Sequence, residues 1–182
     1  MPMTLRTLTC PLPEEINPLS PAGYMFSIAK LPELKYFCQQ VNLPAIMNTP
    51  SEFATPLVMV PVPGQNIEFQ PLRVDFLVDT KMANYRSIYN WLKGIGFPEQ
   101  NDDYNTFVAN STTSDLEVGD TASLLSDATL IILDNNNNPI ATIEFIDCYP
   151  VALESLQFQS NIDDIQYLAG SVTFNYTYFR FI

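Results

Sequence analysis

The stretch Leu72-Arg73-Val74-Asp75-Phe76-Leu77-Val78-Asp79, with the fifteen residues that follow it, decides how this chain reads. Leu72, Val74, Phe76 and Val78 are apolar and alternate with mostly polar residues, the two-residue period of a strand with one buried face. The period then changes. Met82, Tyr85, Ile88, Tyr89, Leu92 and Ile95 recur at steps of three and four, so residues 81–95 are expected to form a helix with Met82, Tyr85, Ile88 and Leu92 on its core face. Asp79 or Thr80 can cap its start, and Gly94, Gly96 and Pro98 end it. Trp91 falls off this stripe and reads as an anchor at the core edge.

The flanking sequence is β-rich. Upstream, Tyr24–Ala29 is a short apolar strand and Leu34–Val41 its expected hairpin partner, stopped by Leu43-Pro44. Pro44, Pro50, Pro56, Pro61 and Pro63 then exclude a central strand, leaving Phe53–Val60 as an extended arm or an edge strand. Downstream, Ala128–Leu133 and Ile140–Cys148 are strands joined by Asp134-Asn135-Asn136-Asn137-Asn138-Pro139. Asn tolerates positive φ, so that run is a hairpin tip. Tyr149-Pro150 is expected to end the second of these strands, Leu153–Gln159 to form a further short one, and Gly170–Ile182 to form the last and longest. Val172, Phe174, Tyr176 and Tyr178 share one face of that final strand. Residues 1–22, with five prolines, read as an irregular arm, and 96–125 as a long polar loop. About eight strands and one helix in a domain spanning 23–182 predict a mainly β fold, either two packed antiparallel sheets or a flattened barrel with one flanking helix.

Composition bounds function. Of 182 residues, 47% are hydrophobic, enough for a core, and only 15% are charged, against about 25% in ordinary domains. Residues 1–93 balance seven basic side chains with seven acidic ones. Residues 94–182 set Arg180 alone against thirteen acidic residues, so this half carries the whole net charge of −12. A basic groove for phosphate is excluded. With no histidine, Ser-His-Asp and Cys-His catalysts and His-bearing metal sites are excluded too. Cys10, Cys38 and Cys148 are odd in number and far apart, and read as reduced thiols. The pairs Glu14-Glu15, Asp102-Asp103 and Asp163-Asp164 are solvated loop carboxylates. Asp115–Asp120 lacks the ligand spacing of a calcium loop, and neither Gly64 nor Gly94-Ile95-Gly96 has the context of a phosphate cradle. No catalytic residue, cofactor or metal is expected. No signal peptide or membrane-length apolar run is evident, so a soluble protein made in the cytoplasm is expected.

The order of elements carries a resemblance. A hairpin around Phe26 and Phe37 closes at Leu43-Pro44. A long excursion leads to Val62-Pro63-Gly64-Gln65-Asn66-Ile67 and the strand Val74–Asp79. A helix with Asn84 and Trp91-Leu92 follows, then a hairpin ending at Tyr149-Pro150 and a closing strand with Thr173-Phe174-Asn175-Tyr176. Over residues 23–182 this resembles the tail tube proteins of contractile-tailed bacteriophages, a fold shared with contractile injection systems. The resemblance implies hexameric rings whose strands close into one inner β-barrel, stacked through the excursion at about Pro44–Pro63. Pro50, Phe53, Leu57 and Met59 would then make the inter-ring contacts. It implies a surrounding sheath protein, baseplate or neck partners, and a virion location. DNA would pass through the lumen without specific binding, along acidic candidates Glu68, Glu144, Asp147 and Glu154. The 1–22 arm and the 96–125 loop exceed the family pattern and suit either extra contacts or a specialised ring at the baseplate or tail terminus. A third reading is a β-sandwich binding module with Tyr24, Tyr36, Tyr104 and Trp91 as platforms.

Overall fold

In the computed structural model, residues 18–96, 124–161 and 167–182 are described. Most of the N-terminal arm, nearly all of the 96–125 loop, and with them Cys10, Tyr104 and the three adjacent carboxylate pairs, lie outside them. The chain runs β1 (Tyr24–Ile28), α1 (Leu34–Phe37), β2 (Cys38–Val41), β3 (Ile46–Asn48), β4 (Ser51–Ala54), β5 (Met59–Val62), β6 (Ile67–Phe69), β7 (Leu72–Leu77), α2 (Ala83–Gly96), β8 (Ser126–Leu133), β9 (Pro139–Leu153), β10 (Ala169–Asn175) and β11 (Tyr178–Phe181). It is a mainly β, antiparallel fold. Seven strands hydrogen-bond in the order β1-β8-β9-β10-β7-β2, with β11 also on β9.

The 15-residue β9 spans two packed halves. Its first part pairs with β8 on one edge and β11 on the other, and its last part with β10. Side chains from both halves fill one core: Phe26, Ile28, Leu130, Ile143 and Phe145 from the first, and Leu72, Val74, Phe76, Val172 and Phe174 from the second. Crossing between halves requires a change of face. Buried β9 residues fall at Ile143 and Phe145, then at Cys148 and Pro150, so one step is three residues instead of two. The extra residue opposes Asp127. Ser126 pairs with Cys148 and Ala128 with Phe145, which leaves Ile146 and Asp147 facing a single residue of β8. Asp147 adopts a φ of 57°, and its amide, displaced from the ladder, donates to the Asp127 carboxylate at 3.3 Å. This is a β-bulge of the kind that bends a strand and re-aims its side chains.

The closing strand slips at the same place. β10 and β11 follow β9 in one register, Asn175 opposite Tyr149 and Tyr178 opposite Ile146, but the ladder breaks between them. Val172 and Phe174 are buried and Tyr176 packs on the core, after which Phe179, not Tyr178, turns inward. Thr177 holds the corner: its Oγ1 donates to Asp147 at 3.2 Å and its amide to the Ile146 carbonyl at 3.0 Å. The expected single strand is thus two, and Tyr178 faces outward. The expected stop at Tyr149-Pro150 is corrected as well. β9 continues to Leu153, and the separate strand at Leu153–Gln159 is absent from the described residues.

The expected hairpin of Tyr24–Ala29 with Leu34–Val41 does not form. Leu31 and Leu34, three apart, are both buried, and the amide of Leu34 donates to the Leu31 carbonyl at 3.1 Å. That turn makes α1 a second helix and carries β2 to the opposite end of the sheet, where it pairs with β7. β1 pairs with β8 instead. No ladder joins β1 to β2 among the described residues, so the strand order does not close into a barrel. The hairpin at Asp134–Pro139 forms as expected, with Asn137 at a φ of 62°.

In α2, Asn84, Ile88, Trp91 and Gly94 are buried. Tyr85, Leu92 and Ile95 pack partly against the core, Tyr89 is exposed, and Met82, half-buried, precedes the helix with a φ of 53°. Asn84 ties the helix to β7. Its Nδ2 donates to the Leu77 carbonyl at 2.7 Å, and its Oδ1 accepts from the amides of Asp79 (3.2 Å) and Tyr85 (2.8 Å). Trp91 sits inside the core on Phe174, and its indole N–H donates to the Leu124 carbonyl at 2.8 Å.

The bulge makes Asp147 a test of the corner. An Asp147→Val variant places a β-branched residue in the left-handed region and removes the Thr177 partner, and is expected to cost about 1–3 kcal/mol in urea denaturation. Asp147→Gly, which tolerates that φ, is expected to lose less than Asp147→Val.

Candidate functional site

The excursion after Leu43-Pro44 is a long β-hairpin arm. Its base is β3 on β6, Ile46 opposite Phe69 and Asn48 opposite Ile67, and its tip is β4 on β5, Ser51 opposite Val62 and Ala54 opposite Met59. Thr55–Val58 turns the tip; the amide of Thr55 donates to the Val58 carbonyl at 3.1 Å. Both strands of a hairpin are edges, so Pro61 is admissible opposite Glu52, and Pro50 and Pro63 stand where the two ladders are interrupted. The arm is rooted on the body by Phe69, which packs on Phe179 (ring centroids 5.5 Å) and Tyr176 (6.1 Å), and by the Tyr176 hydroxyl, which donates to the Gln70 carbonyl at 2.8 Å.

Beyond that root most apolar side chains of the arm are exposed. Cross-strand pairing puts Phe53, Val60 and Val62 on one face of the tip, and Ala54, Met59 and Pro61 on the other. Leu57, at the turn, is 97% exposed and Phe53 66%, and Met59, Val58 and Ile67 are exposed too. A two-stranded hairpin with apolar residues on both faces is marginal in water by itself, and exposed apolar surface is a common feature of interaction sites. Of the residues expected to contact a neighbour, Phe53, Leu57 and Met59 lie on this tip, and Pro50 lies at the interruption between the ladders.

The acidic candidates fall in three places. Glu144 and Asp147 share the outer face of the first half. Glu144 is held by Arg180, 2.6 Å from Nη2 and 2.8 Å from Nε, and that hydrogen bond raises the arginine's pKa. Glu154 lies just past β9 on the outer face of the second half, 3.0 Å from Arg73, which also meets Asp75 at 3.3 Å. Gln40 and Thr173 extend this second face as a polar surface. Glu68 is at the base of the arm and accepts from Thr49 Oγ1 at 3.4 Å.

Of the expected aromatic platforms, Trp91 is in the core, while Tyr24, half-buried beside Cys38, and Tyr36, 82% exposed, line one open pocket with Met25 and Lys35; Tyr104 lies outside the described residues. The described thiols and two of the phenols are held in their neutral forms. Burial pushes the thiol of Cys148 up to about 12 and that of Cys38 up to about 11, where the Tyr24 hydrogen bond only partly offsets the burial. Burial also raises Tyr24 and Tyr176 to about 12 and lowers Lys30, which lies 5.3 Å over the Trp91 ring, to about 8. The described residues contain no cluster of three metal-ligating side chains, and no helix among them is long and apolar enough to cross a membrane.

The family model described as phage tail tube protein matches residues 15–182. No match is found among curated sequences. Among solved structures, the cap that terminates the tube of the anti-feeding prophage is similar at a TM-score of 0.60 and 10% identity, covering 97% of this chain and 98% of that one. A chain of the same system's baseplate is similar at 0.57 and 10%, covering 87% and 90%. A chain of the sheath-tube complex of an extracellular contractile injection system is similar at 0.53 and 12%, covering 91% of each. At these identities the likeness is one of fold.

The buried thiols and phenols set the alkaline behaviour. Their folded pKa values exceed the ordinary 9.0 and 10.0, so the unfolded chain loses protons first, and stability present below about pH 9 is lost as pH climbs toward 11–12. Lys30 acts oppositely between about 8 and 10.5, but alone against four. Urea midpoints are expected to fall between pH 9 and 11, and to fall less in Cys148→Ala relative to that variant's own value at pH 7.

Proposed function

Because the chain belongs to the phage tail tube protein family, whose members are structural and non-enzymatic parts of the tail, we propose that it forms hexameric rings that stack into the tube inside a contractile sheath. The exposed arm carries this reading. A two-stranded hairpin with Phe53, Val60 and Val62 on one face and Leu57 at its end gains stability when another subunit covers it, and the next ring supplies that cover.

Ring closure has its own support. β1 and β2 are the two ends of the strand order, and among the described residues neither pairs with the other and each has one edge without a strand partner. Pairing such edges between six copies removes them by closing a shared barrel. The lumen of that barrel is the DNA conduit, and acidic side chains on its wall keep phosphates from adhering. Glu68, Glu144, Asp147 and Glu154 are the candidates. The outer faces of the two halves point away from each other, so one lumen takes one of them. Glu154 has the stronger support, because Gln40, Arg73, Asp75 and Thr173 surround it with the polar wall that a wet channel needs. Sheath and baseplate or neck components are the proposed partners outside the ring. Fold likeness extends to tube, cap and baseplate chains alike, so a ring present once or twice at one end of the tail is the second reading.

Negative-stain microscopy of the purified chain separates them: tubes support a tube subunit, and isolated rings a terminal component. Replacing 51–62 with a short turn, which leaves the base ladder in place, is expected to yield rings that no longer stack. Tubes of wild-type length from that variant would refute the role given to the arm.

A further inference from the structure

The arm is not one ladder but two, and the joint between them is built. From base to tip, the outgoing strand has only Thr49 and Pro50 between the ladders, whereas the returning strand has Pro63, Gly64, Gln65 and Asn66. A two-residue excess on one strand bends the hairpin and increases its twist. Pro50 and Pro63 have no amide hydrogen to give, so the ladder cannot run through the joint.

Asn48 bridges the gap in its place. Its Nδ2 donates to the Gly64 carbonyl at 2.9 Å, and its Oδ1 accepts from the Gly64 amide at 3.1 Å. The side-chain amide thus meets both backbone groups of Gly64, as a paired strand residue would. Gly64 is required here for space. A Cβ at this position would lie 1.8 Å from the Thr49 carbonyl oxygen and 2.9 Å from its carbon, and both are backbone atoms of the opposite strand that cannot swing aside. The Thr49 hydroxyl, bonded to Glu68, fixes the same residue from its other side. The joint is therefore closed by short contacts at a single angle.

We infer that the Asn48–Gly64 clamp is an aiming element: it fixes the direction in which the base presents the apolar tip, and so sets how, and in what rotation, one ring receives the next. This rests on the proposed stacking role of the arm. Asn48 and Gly64 are positioning residues; the contacts themselves belong to the tip.

The test compares Asn48→Ala, Asn48→Asp and Gly64→Ala with the 51–62 replacement, reading tube length, ring-to-ring rotation by cryo-EM and the thermal midpoint of the isolated subunit. Because the joint lies outside the core, the clamp variants are expected to melt with the wild type and form rings, while ring-to-ring association weakens, by about tenfold in Asn48→Ala, as loss of two hydrogen bonds predicts. Surviving tubes are expected to show an altered rotation. Asn48→Asp keeps the acceptor for the Gly64 amide but sets a carboxylate oxygen against the Gly64 carbonyl, and should weaken association at least as much as Asn48→Ala. If the 51–62 replacement abolishes tubes while all three clamp variants give wild-type length and rotation, the aiming role is overturned and stacking by the arm stands. If the replacement itself leaves tubes unchanged, the stacking role falls, and the clamp's with it. A lowered midpoint accompanied by lost rings would make the clamp part of the subunit's folding and also overturn the inference.

Discussion

One long strand, β9, paired with β10 and then β11, has to serve two sheet halves that bury opposite faces, and most of this structure follows from that constraint. A strand shows alternate residues to one side, so a strand that passes from one half of a packed core to the other must lose its alternation once. Both partners do so opposite each other. On β9 the core residues step from Phe145 to Cys148, and on the closing strand from Tyr176 to Phe179. The register is kept because both slip by the same amount. The left-handed Asp147, its amide on Asp127 and its carboxylate on Thr177, satisfies polar groups that the interrupted ladder leaves over.

That corner also roots the arm. Tyr176, the last core residue before the slip, and Phe179, the first after it, form with Phe145 and Phe69 an aromatic cluster that holds the base of the hairpin on the body. The arm leaves from the point where the two halves meet, and its direction is set by the body through Phe69 and by the Asn48–Gly64 joint. Among the described residues the apolar tip has no such support. A stable body and an exposed tip in one chain suit the proposed assembly, in which a neighbour would supply the missing layer.

Much of this was legible in the sequence where a single period governed. The alternation at Leu72–Val78 gave β7, the three-four spacing gave α2, and the Asn-rich run gave the β8–β9 turn. Reading failed where tertiary structure overrode the local pattern. Leu31 and Leu34 are too few to announce a helical turn, yet that turn moves β2 to the far edge of the sheet. Pro150 read as a terminator, but Phe174 opposes it beside an irregularity in the ladder and β9 runs on. Trp91 lay off the apolar stripe because polar Asn84 occupies part of the buried face, satisfied by groups that only the fold brings near. The prolines of 44–63 ruled out a central strand without revealing the hairpin, since a protruding two-stranded arm tolerates them where a sheet interior does not. That excursion was marked as the contact segment by resemblance, and its exposed apolar surface gives the reading a physical basis. The four acidic positions could be picked as strand residues, but their separation onto different faces depends on the corner at Asp147.

The central claim is that a neighbouring ring covers the tip of the arm. Cryo-EM of the assembled chain at side-chain resolution tests it most directly. The account predicts Phe53, Leu57, Val60 and Val62 packed against a subunit of the adjacent ring, with the Asn48–Gly64 contacts intact. Stacked rings in which these four side chains remain in solvent would contradict it.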